Sequence, residues 1–400
     1  MKTYIGIDWS STHDDVCILN EKEEVVNKFR FDVTKQGFKK LIDAIENTHS
    51  AKEEIFIGIE TDKNILADYL LALGYQVYGL NPFCVNRFKD RYSVSSKKDD
   101  NFDAYNIALI LFKDFNRFTP IIKSSNNCEA LKMHGKTLEM LLQEKTRFEN
   151  RLKNDLHQYF PIFTDFFDGF TSVPLNLLKV LNKPEQIINA TFEDYLELIK
   201  DVKYMTKKRK SEFYCLLKDQ TISPNKTIQE CYSLRVLILV DQLLFLMKSI
   251  KQVEEKILML YAANEYSTIF SSLPGAADRL APRLLMHFGD VQKRFESYQT
   301  VQCYAGTCPV TIQSGKYLHV IKMRRGCNKS FRDTLYQFSF CSLSLETWTR
   351  EYYDRLRKKG CNHSSAIRAL SNKWIKIIFR MWKDKTVYDK EVFLKKRKIA

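Results

Sequence analysis

Four acidic residues stand where neighbouring elements of one sheet would bring them together. Asp8 ends the first strand-like run of the chain, and Glu60 ends a later one. Asp100 and Asp103 are spaced i and i+3, so they share one face of a helix. Converging carboxylates repel each other unless cations neutralise them. Mg²⁺ or Mn²⁺ would satisfy such an all-oxygen group, and paired metal ions stabilise the attacking and leaving oxygens of phosphoryl transfer.

Each of these acids also has an ordinary structural interpretation. Asp8 suits a turn, and Glu60 suits the start of a helix. Asp100 suits an N-cap, and Asp103 suits a first helical turn, where its charge complements the helix dipole. Asp99 competes with Asp100 for the third position, because i,i+4 spacing from Asp103 is only slightly less favourable. The order of the four along one predicted topology favours the metal site.

The first hundred residues predict the topology that the acids require. Three β-rich runs separated by polar turns indicate an antiparallel meander. They are Tyr4–Trp9, Asp15–Leu19 and Val25–Val33. Two helix-and-strand units follow, with strands at Ile55–Ile59 and Gln76–Leu80, and then a helix from about residue 100 to 115. The order β-β-β-α-β-α-β-α predicts a ribonuclease-H-like α/β sheet in which the first and fourth strands are neighbours.

Beyond residue 128 the pattern is almost wholly helical, and its clearest feature is a heptad seam on one helix. The seam residues are Val236, Leu239, Leu243, Leu246, Ile250, Val253, Ile257 and Leu260. Their alternating spacings of three and four predict a coiled coil, within the chain or between copies, with an ordinary core helix as the alternative. Pairing between copies would make the protein a homo-oligomer. Residues 162–226 contain prolines and a basic run, which indicate a loop-rich segment without a clear period.

The positive charge is concentrated towards the carboxyl-terminal end. The chain has 63 Lys and Arg against 48 Asp and Glu, a net charge of +15. Residues 1–313 contain 41 side chains of each sign, whereas residues 314–400 contain 22 basic and 7 acidic side chains. The last 87 residues therefore hold the whole excess. Such a segregated positive field is typical of proteins that bind a polyanion, usually nucleic acid.

The sequence gives no sign of membrane insertion or secretion. No apolar run reaches the roughly 18 residues that a span requires, and the first residues lack the apolar segment of a secretory signal. We therefore expect a cytoplasmic protein with no membrane partner. Ten cysteines without a C-x-x-C pair predict buried free thiols. Zinc held by Cys303, Cys308 and Cys327, with Cys361 or His363, is the alternative.

A second chemically suited group begins at Ser314. Ser314-Gly315 precedes a basic tract, so an exposed hydroxyl would stand among charges that attract phosphodiesters; a common turn is the ordinary interpretation. The basic residues are Lys316, Lys322, Arg324, Arg325, Lys329 and Arg332. Residues 271–290 resemble a helix-hairpin-helix element, whose glycine turn presents backbone amides to phosphate without reading sequence. The segment predicts nucleic-acid contact.

The order of short motifs resembles that of the DEDD-type insertion-sequence transposases over almost the whole chain. The motifs are Gly6-Ile-Asp8, Ile59-Glu60, Lys98-x-Asp100-x-x-Asp103-Ala104, Leu273-Pro-Gly275, Tyr304-Ala-Gly306-x-x-Pro309, Ser314-Gly315 and Cys327-Asn-Lys-x-x-Arg332. The resemblance implies a RuvC-like domain over residues 1–160 and a helical linker with a coiled coil over 161–264. It also implies a mainly α carboxyl-terminal transposase domain over 265–400, with a nucleophilic serine and a basic tail.

The resemblance further implies the activity. Asp8, Glu60, Asp100 and Asp103 would bind the divalent metal, and Ser314 would be the nucleophile that forms a phosphoserine-linked strand end. Donor and target DNA would be the substrates, a structured noncoding bridge RNA would be the guide, and a dimer or tetramer held by the coiled coil would be the active assembly. The alternatives are a RuvC-like structure-specific nuclease, which needs no serine, and a catalytically silent nucleic-acid-binding protein.

Two departures from the family pattern affect neither the predicted ligands nor the serine. Ser10-Ser11 stands where many relatives have a lysine shortly after the first aspartate. Gly306-Thr307 stands where many have Gly-Leu before the proline.

Overall fold

The computed structural model describes residues 2–10, 12–60, 64–89, 100–188, 190–203, 205–220, 225–321 and 323–391. For five of these residues the structure describes the backbone alone: Lys89, Asp100, Asn101, Gln220 and Ile321. The chain forms two compact units, Met1–Lys123 and Ser124–Ala400. The division into three domains at residues 160 and 264 stays a prediction.

The first unit is a five-stranded mixed sheet with helices. Its strands are β1 (Thr3–Asp8), β2 (His13–Leu19), β3 (Val25–Asp32), β4 (Ile55–Ile59) and β5 (Gln76–Gly79). Its helices are α1 (Lys35–Glu46), α2 (Ile65–Ala72), α3 (Pro82–Lys89) and α4 (Asp100–Asp114). The strand order is β3-β2-β1-β4-β5, with β1 antiparallel to β2 and parallel to β4. The predicted neighbours β1 and β4 are confirmed, and the sheet is consistent with a ribonuclease-H-like domain. The short helix α3 was not predicted.

Alternation along β1 divides the core of this unit between the two faces of the sheet. Ile5 and Ile7 are fully buried in the cluster that includes residues of α1 and α2. Tyr4 belongs to the opposite cluster, which includes α4. Because successive strand residues point to opposite faces, Gly6 and Asp8 share the α4 face with Tyr4.

Two glycines allow the backbone of α4 to contact the sheet. Gly6 and Gly58 are directly paired across β1 and β4. A Cβ atom at Gly6 would lie 2.0 Å from the carbonyl oxygen of Ala104, and one at Gly58 would lie 2.8 Å from a methyl group of Leu111. No larger residue at position 6 would leave room for the helix.

Ring contacts establish the direction of α4. Phe112 packs edge-on against Tyr4 with centroids 5.3 Å apart, and Phe115, just beyond the helix, lies 5.1 Å from Phe56. The end of α4 therefore covers the starts of β1 and β4, and Ala104 near its beginning covers Gly6. The first turn of α4 consequently lies where β1 and β4 end.

The second unit is mostly helical, as predicted. Its helices are α5 (Asn126–Tyr159), α6 (Pro161–Phe166), α7 (Ser172–Val180), α8 (Glu185–Ile188), α9 (Phe192–Leu198), α10 (Lys207–Gln220), α11 (Lys226–Ala262), α12 (Ser267–Ser271), α13 (Ala277–Phe288), α14 (Tyr298–Ala305), α15 (Lys329–Ser342), α16 (Thr347–Lys358) and α17 (His363–Asp384). Its strands are β6 (Val310–Ser314) and β7 (Tyr317–Ile321). None of the described helices is both long and apolar enough to cross a membrane.

The heptad seam packs within the chain. Helix α11 pairs with α5, and most seam residues are buried. The pair is antiparallel: the Asn127 amide donates to the Leu260 carbonyl at 3.0 Å at one end, and Arg235 forms a 2.6 Å ion pair with Asp155 at the other. Of the two predicted arrangements of the coiled coil, the one within the chain is present.

The segment expected to be rich in loops, residues 162–226, is more helical than its prolines indicate. Five short helices, α6 to α10, occupy this segment and build one apolar core with α5 and α11. Their ends carry recognisable signals, such as the capping box of Thr191 and Asp194 at the start of α9. Helices of four to fourteen residues contain too few turns for a clear apolar period.

We expect Gly6→Ala to lower the free energy of unfolding by about 1–3 kcal/mol, because the added methyl group must displace the α4 backbone. Urea unfolding followed by circular dichroism measures the loss. Gly169→Ala is the matched control, since a Cβ atom there meets no atom within 4 Å. Its free energy of unfolding should stay within about 0.5 kcal/mol of wild type. Equal effects of the two substitutions would contradict the close approach of α4.

Candidate functional site

The first unit gathers acidic residues at one edge of its sheet. Asp8 is the last residue of β1, and Glu60 directly follows β4. Because Ile7 pairs with Ile59, the two acids occupy adjacent strand ends, and both are half-buried. Asp103, also half-buried, lies in the first turn of α4 beside Ala104, whose carbonyl approaches Gly6. The fold thus brings the backbone at Asp8, Glu60 and Asp103 to one place.

The third predicted ligand is only partly described. Asp100 is the first residue of α4, so its backbone belongs to the same helix end, but its side chain is outside the description. Asp99 lies outside the described residues altogether. Among the described side chains, no three His, Cys, Asp or Glu residues already form a metal-binding group. The carboxylate oxygens at this edge suit Mg²⁺, and the four-residue ligand set stays a prediction.

Asp15 is a further acid at this edge, and its charge is already neutralised. It pairs directly with Asp8 across β1 and β2 and is 3% exposed. The Arg30 guanidinium donates to both of its carboxylate oxygens, from Nε at 2.9 Å and from Nη2 at 2.7 Å. A bidentate pair of this kind fixes both side chains. Asp15 therefore serves the sheet, and only the register of β2 and β3 could have revealed its partner.

Asp14 anchors the turn that follows Asp8. Its side chain is fully buried, and its Oδ1 accepts the Ser10 backbone N–H at 3.1 Å. Burial raises the pKa of this carboxyl to about 6, although the Ser10 hydrogen bond opposes the shift. The Ser10 hydroxyl in turn donates to the His13 carbonyl. These bonds hold the connection between β1 and β2 in one conformation.

Ser314 ends the first strand of a β-hairpin in the second unit. Strands β6 and β7 are antiparallel, and the two-residue loop Gly315-Lys316 joins them. Gly315 has a φ of +55°, a conformation that favours glycine at the first position of such a loop. Ser314 pairs with Tyr317 and is exposed. Its hydroxyl makes no hydrogen bond within the described part of the chain and is open to a substrate.

The hairpin was missed in the prediction of a mainly α carboxyl-terminal domain. A signal was present, because β-branched and aromatic residues are enriched on both sides of Ser314-Gly315. The predicted helix-hairpin-helix segment, residues 271–290, begins at the last residue of α12 and contains α13, and Gly275 between the two helices has a φ of +80°. That turn packs closely, since a Cβ atom at Gly275 would lie 3.2 Å from Cys341.

The predicted nucleic-acid-binding residues differ in exposure. The exposed ones are Lys316, Arg325 and Lys329. Arg324 is half-buried, and its Nε has no hydrogen-bond partner among the described residues. The Arg332 side chain is only 14% exposed, and its Nη1 lies 3.6 Å from the Cys327 sulfur, so it supports the loop. Lys322 lies outside the described residues.

Three cysteines pack around the glycine that ends α14. The sulfurs of Cys303 and Cys308 lie 3.2 Å apart. Gly306 has a φ of +70°, and a Cβ atom there would lie 2.4 Å from the Cys327 sulfur. All ten cysteines are free, and the described residues contain no three-ligand group that would support the zinc alternative. The thiols serve as close-packing groups beneath the basic loop.

A polar network anchors the start of α15, directly after the basic loop. Asn328 caps the helix by accepting the Phe331 N–H at 2.9 Å, and its amide donates to the Tyr304 hydroxyl at 2.8 Å. Ser330 donates to Glu139, and its Oγ lies 3.2 Å from Nε2 of His287. The loop between β7 and α15 is therefore fixed at its carboxyl-terminal end.

His287 lies at the centre of this network. Its side chain is 5% exposed, and its ring stacks on Phe331 with centroids 4.8 Å apart. Burial, assisted by the positive charge of Arg283, lowers the pKa of His287 to about 3. The imidazole is therefore neutral in the folded protein near pH 7.

Two family models match the chain. A model for DEDD-type IS110 transposases, described as a transposase, matches residues 5–161, and one described as a transposase of the IS116/IS110/IS902 family matches residues 267–354. The chain is 24% identical over 384 residues to the mini-circle putative transposase for IS117 of Streptomyces coelicolor, covering 94% of this chain and 92% of that protein. It is 26% identical over 254 residues to the insertion element IS110 uncharacterized 43.6 kDa protein of the same organism, covering 62% of each. It is also 20% identical over 402 residues to the insertion element IS116 uncharacterized 44.8 kDa protein of Streptomyces clavuligerus, covering 97% and 96%.

We expect the stability of the second unit to fall in mild acid because of His287. An unfolded histidine binds a proton near pH 6.5, whereas folded His287 binds one only near pH 3. The contribution of neutral His287 to the free energy of unfolding is therefore complete above about pH 6.5 and is lost progressively below it. The loss amounts to about 1.4 kcal/mol between pH 7.5 and 5.5. Urea unfolding at the two pH values measures the change. His287→Gln should remove this part of the pH dependence, and His157→Gln, at an exposed position of α5, should keep it.

Proposed function

Because the chain belongs to the IS110/IS116 family of DEDD-type transposases, we propose that it recombines donor and target DNA as the enzyme of an insertion sequence. The single observation that carries the proposal is the position of the candidate groups in the two matched segments. The acidic sheet edge with Asp8, Glu60 and Asp103 falls within residues 5–161, and the exposed Ser314 falls within residues 267–354.

The acidic edge would hold the metal. Asp8, Glu60, Asp100 and Asp103 are its ligands in this proposal, and the adjacent ends of β1 and β4 beneath the start of α4 support it. When bound, Mg²⁺ or Mn²⁺ supplies positive charge to the scissile phosphate and the leaving oxygen. Asp15 contributes no ligand, because Arg30 occupies both of its oxygens.

Ser314 would attack the scissile phosphate. The Oγ–P bond forms as the P–O3′ bond breaks, the hydroxyl proton passes to the leaving 3′ oxygen, and the 5′-phosphate end stays on the serine. Attack by the 3′-hydroxyl of another strand then restores a phosphodiester and releases Ser314. A serine hydroxyl is a weak nucleophile near pH 7, so neighbouring positive charge must assist it. The exposed side chains of Lys316, Arg325 and Lys329 could provide that charge and grip the flanking phosphates.

We further propose that a structured noncoding bridge RNA guides the reaction and that two or four copies assemble. The positive excess of residues 314–400 supports binding of a second polyanion besides DNA. Helix α5 already covers the heptad seam of α11 inside the chain, so copies would associate through other surfaces. RNA that copurifies with the protein can be sequenced to identify the guide.

Ser314→Ala should abolish covalent protein–DNA adducts. The purified protein, with its copurifying RNA and Mg²⁺, is mixed with labelled donor and target DNA, and adducts are counted after denaturing electrophoresis. Ser364→Ala, an exposed serine in the first turn of α17, is the control and should form adducts at the wild-type level. Adducts that persist in Ser314→Ala would remove the nucleophile assignment. Metal-dependent cleavage without adducts in any variant would favour the structure-specific nuclease.

Asp8→Asn should slow strand exchange by about 100-fold or more while DNA binding stays close to wild type, because an amide cannot replace a charged metal ligand. Exchange rates across a Mg²⁺ titration and binding by gel shift provide the two measurements. Asp43→Asn, on the exposed side of α1, controls for the loss of one negative charge. Exchange by Asp8→Asn at the wild-type rate would refute the metal role. Binding without cleavage in the wild type under any metal would indicate a silent binding protein.

A further inference from the structure

The β6–β7 hairpin is a two-stranded sheet whose side chains are largely uncovered. Every residue from Thr311 to Val320 is exposed, and in the described part of the chain no further strand joins either edge. The exposed residues include large apolar side chains: Ile312 at 49%, Tyr317 at 62%, Leu318 at 61% and Val320 at 46%. An isolated two-stranded sheet gains little stability in water. The exposed apolar surface of the hairpin therefore indicates a binding role.

Register divides these side chains between two faces. Ser314 pairs with Tyr317, and Ile312 pairs with His319, so all four share one face. Gln313 pairs with Leu318 on the opposite face. Directly opposed residues in an antiparallel pair have Cβ atoms about 4.5–5.5 Å apart. Tyr317 is thus the nearest cross-strand neighbour of Ser314.

Tyr317 and His319 place two nearly parallel aromatic rings on the Ser314 face. Their rings stack with centroids 6.3 Å apart and an angle of 13° between the planes. The hairpin and the loop that follows it, residues 310–332, contain six Lys and Arg and no Asp or Glu. Aromatic rings beside cationic groups are the usual means by which proteins bind single-stranded nucleic acid.

We propose that Tyr317 and His319 form a stacking platform for an unpaired DNA base next to the phosphate that Ser314 attacks. The inference rests on the proposed function for the identity of that phosphate. Paired bases are covered on both faces by their neighbours in the duplex, so only an unpaired base can stack on the two rings. Stacking is tolerant of sequence, because every base has a π face. The platform positions the strand at the serine and leaves selection of the sequence to other contacts.

The experiment measures stacking without chemistry. Full-length Ser314→Ala protein is titrated with a DNA duplex that contains 2-aminopurine inside a three-nucleotide bubble, and with the same duplex fully paired. The bubble should bind about tenfold more tightly, and its fluorescence should be quenched by stacking. Adding Tyr317→Ala should abolish the quenching and the preference of about tenfold for the bubble. Adding His319→Ala instead should reduce the quenching and the preference by a smaller factor.

Two variants distinguish the aromatic ring of Tyr317 from its hydroxyl group and from the opposite face of the hairpin. Tyr317→Phe retains the ring and should restore quenching and preference, whereas a role for the hydroxyl would leave both low. Leu318→Ala has the same exposure on the opposite face and should behave like the parent protein. Circular dichroism of each variant checks that the chain is folded.

The outcomes that overturn the platform are distinct from failure of the nucleophile. The platform is removed if the protein shows no preference for the bubble, or if Leu318→Ala and Tyr317→Ala lose that preference equally. If Leu318→Ala loses the preference and the protein assembly also changes its molecular mass in solution, the hairpin is assigned to contact between copies. Preference for an RNA loop of the same sequence over the DNA bubble also overturns it. The assay needs neither cleavage nor the serine, so adducts that persist in the separate Ser314→Ala experiment would leave a positive stacking result intact.

Discussion

The direct contact between α4 and the paired glycines of the sheet is the constraint on which the acidic site depends. At Gly6 the helix backbone lies closer to the strand than any side chain would permit. The contact fixes how far α4 can slide along β1, because only positions without a Cβ accept it. The height of the first turn of α4 above Asp8 follows from that register. A shift of one residue along the helix would turn Asp103 by about 100° away from the strand ends.

Burial and pairing determine what each acid at this edge can do. Asp15 is buried, and Arg30 donates to both of its carboxylate oxygens, so its charge stabilises the pairing of β2 with β3. Asp14 is buried, and its hydrogen bond within the described residues comes from the Ser10 backbone N–H and not from a cationic side chain, so burial raises its pKa. Asp8 and Glu60 are half-buried at the adjacent ends of β1 and β4. Asp8, Asp14 and Asp15, which lie within eight residues of one another, thus have separate tasks, and local environment decides between them.

The second unit combines a rigid support with an exposed hairpin. The α5–α11 pair and the buried network around His287 hold the start of α15, and the close packing of Gly306 on Cys327 holds the end of α14. The hairpin emerges between these two anchors with nearly all of its side chains exposed. A segment that is fixed at both ends and exposed between them suits the presentation of a reactive hydroxyl to a large polyanionic substrate.

The sequence alone determined the strands of the first unit, the position of α4, the neighbouring ends of β1 and β4, and the family, because alternating patterns and short motifs are local. It failed at the β6–β7 hairpin, whose strands carry apolar residues on both faces, and at α6 to α10, which are too short to show a period. Only the tertiary structure decided that the α11 seam pairs with α5, that Arg30 neutralises Asp15, and that Tyr317 and His319 share a face with Ser314. Those facts depend on strand register and helix pairing, which bring together residues that no local pattern connects.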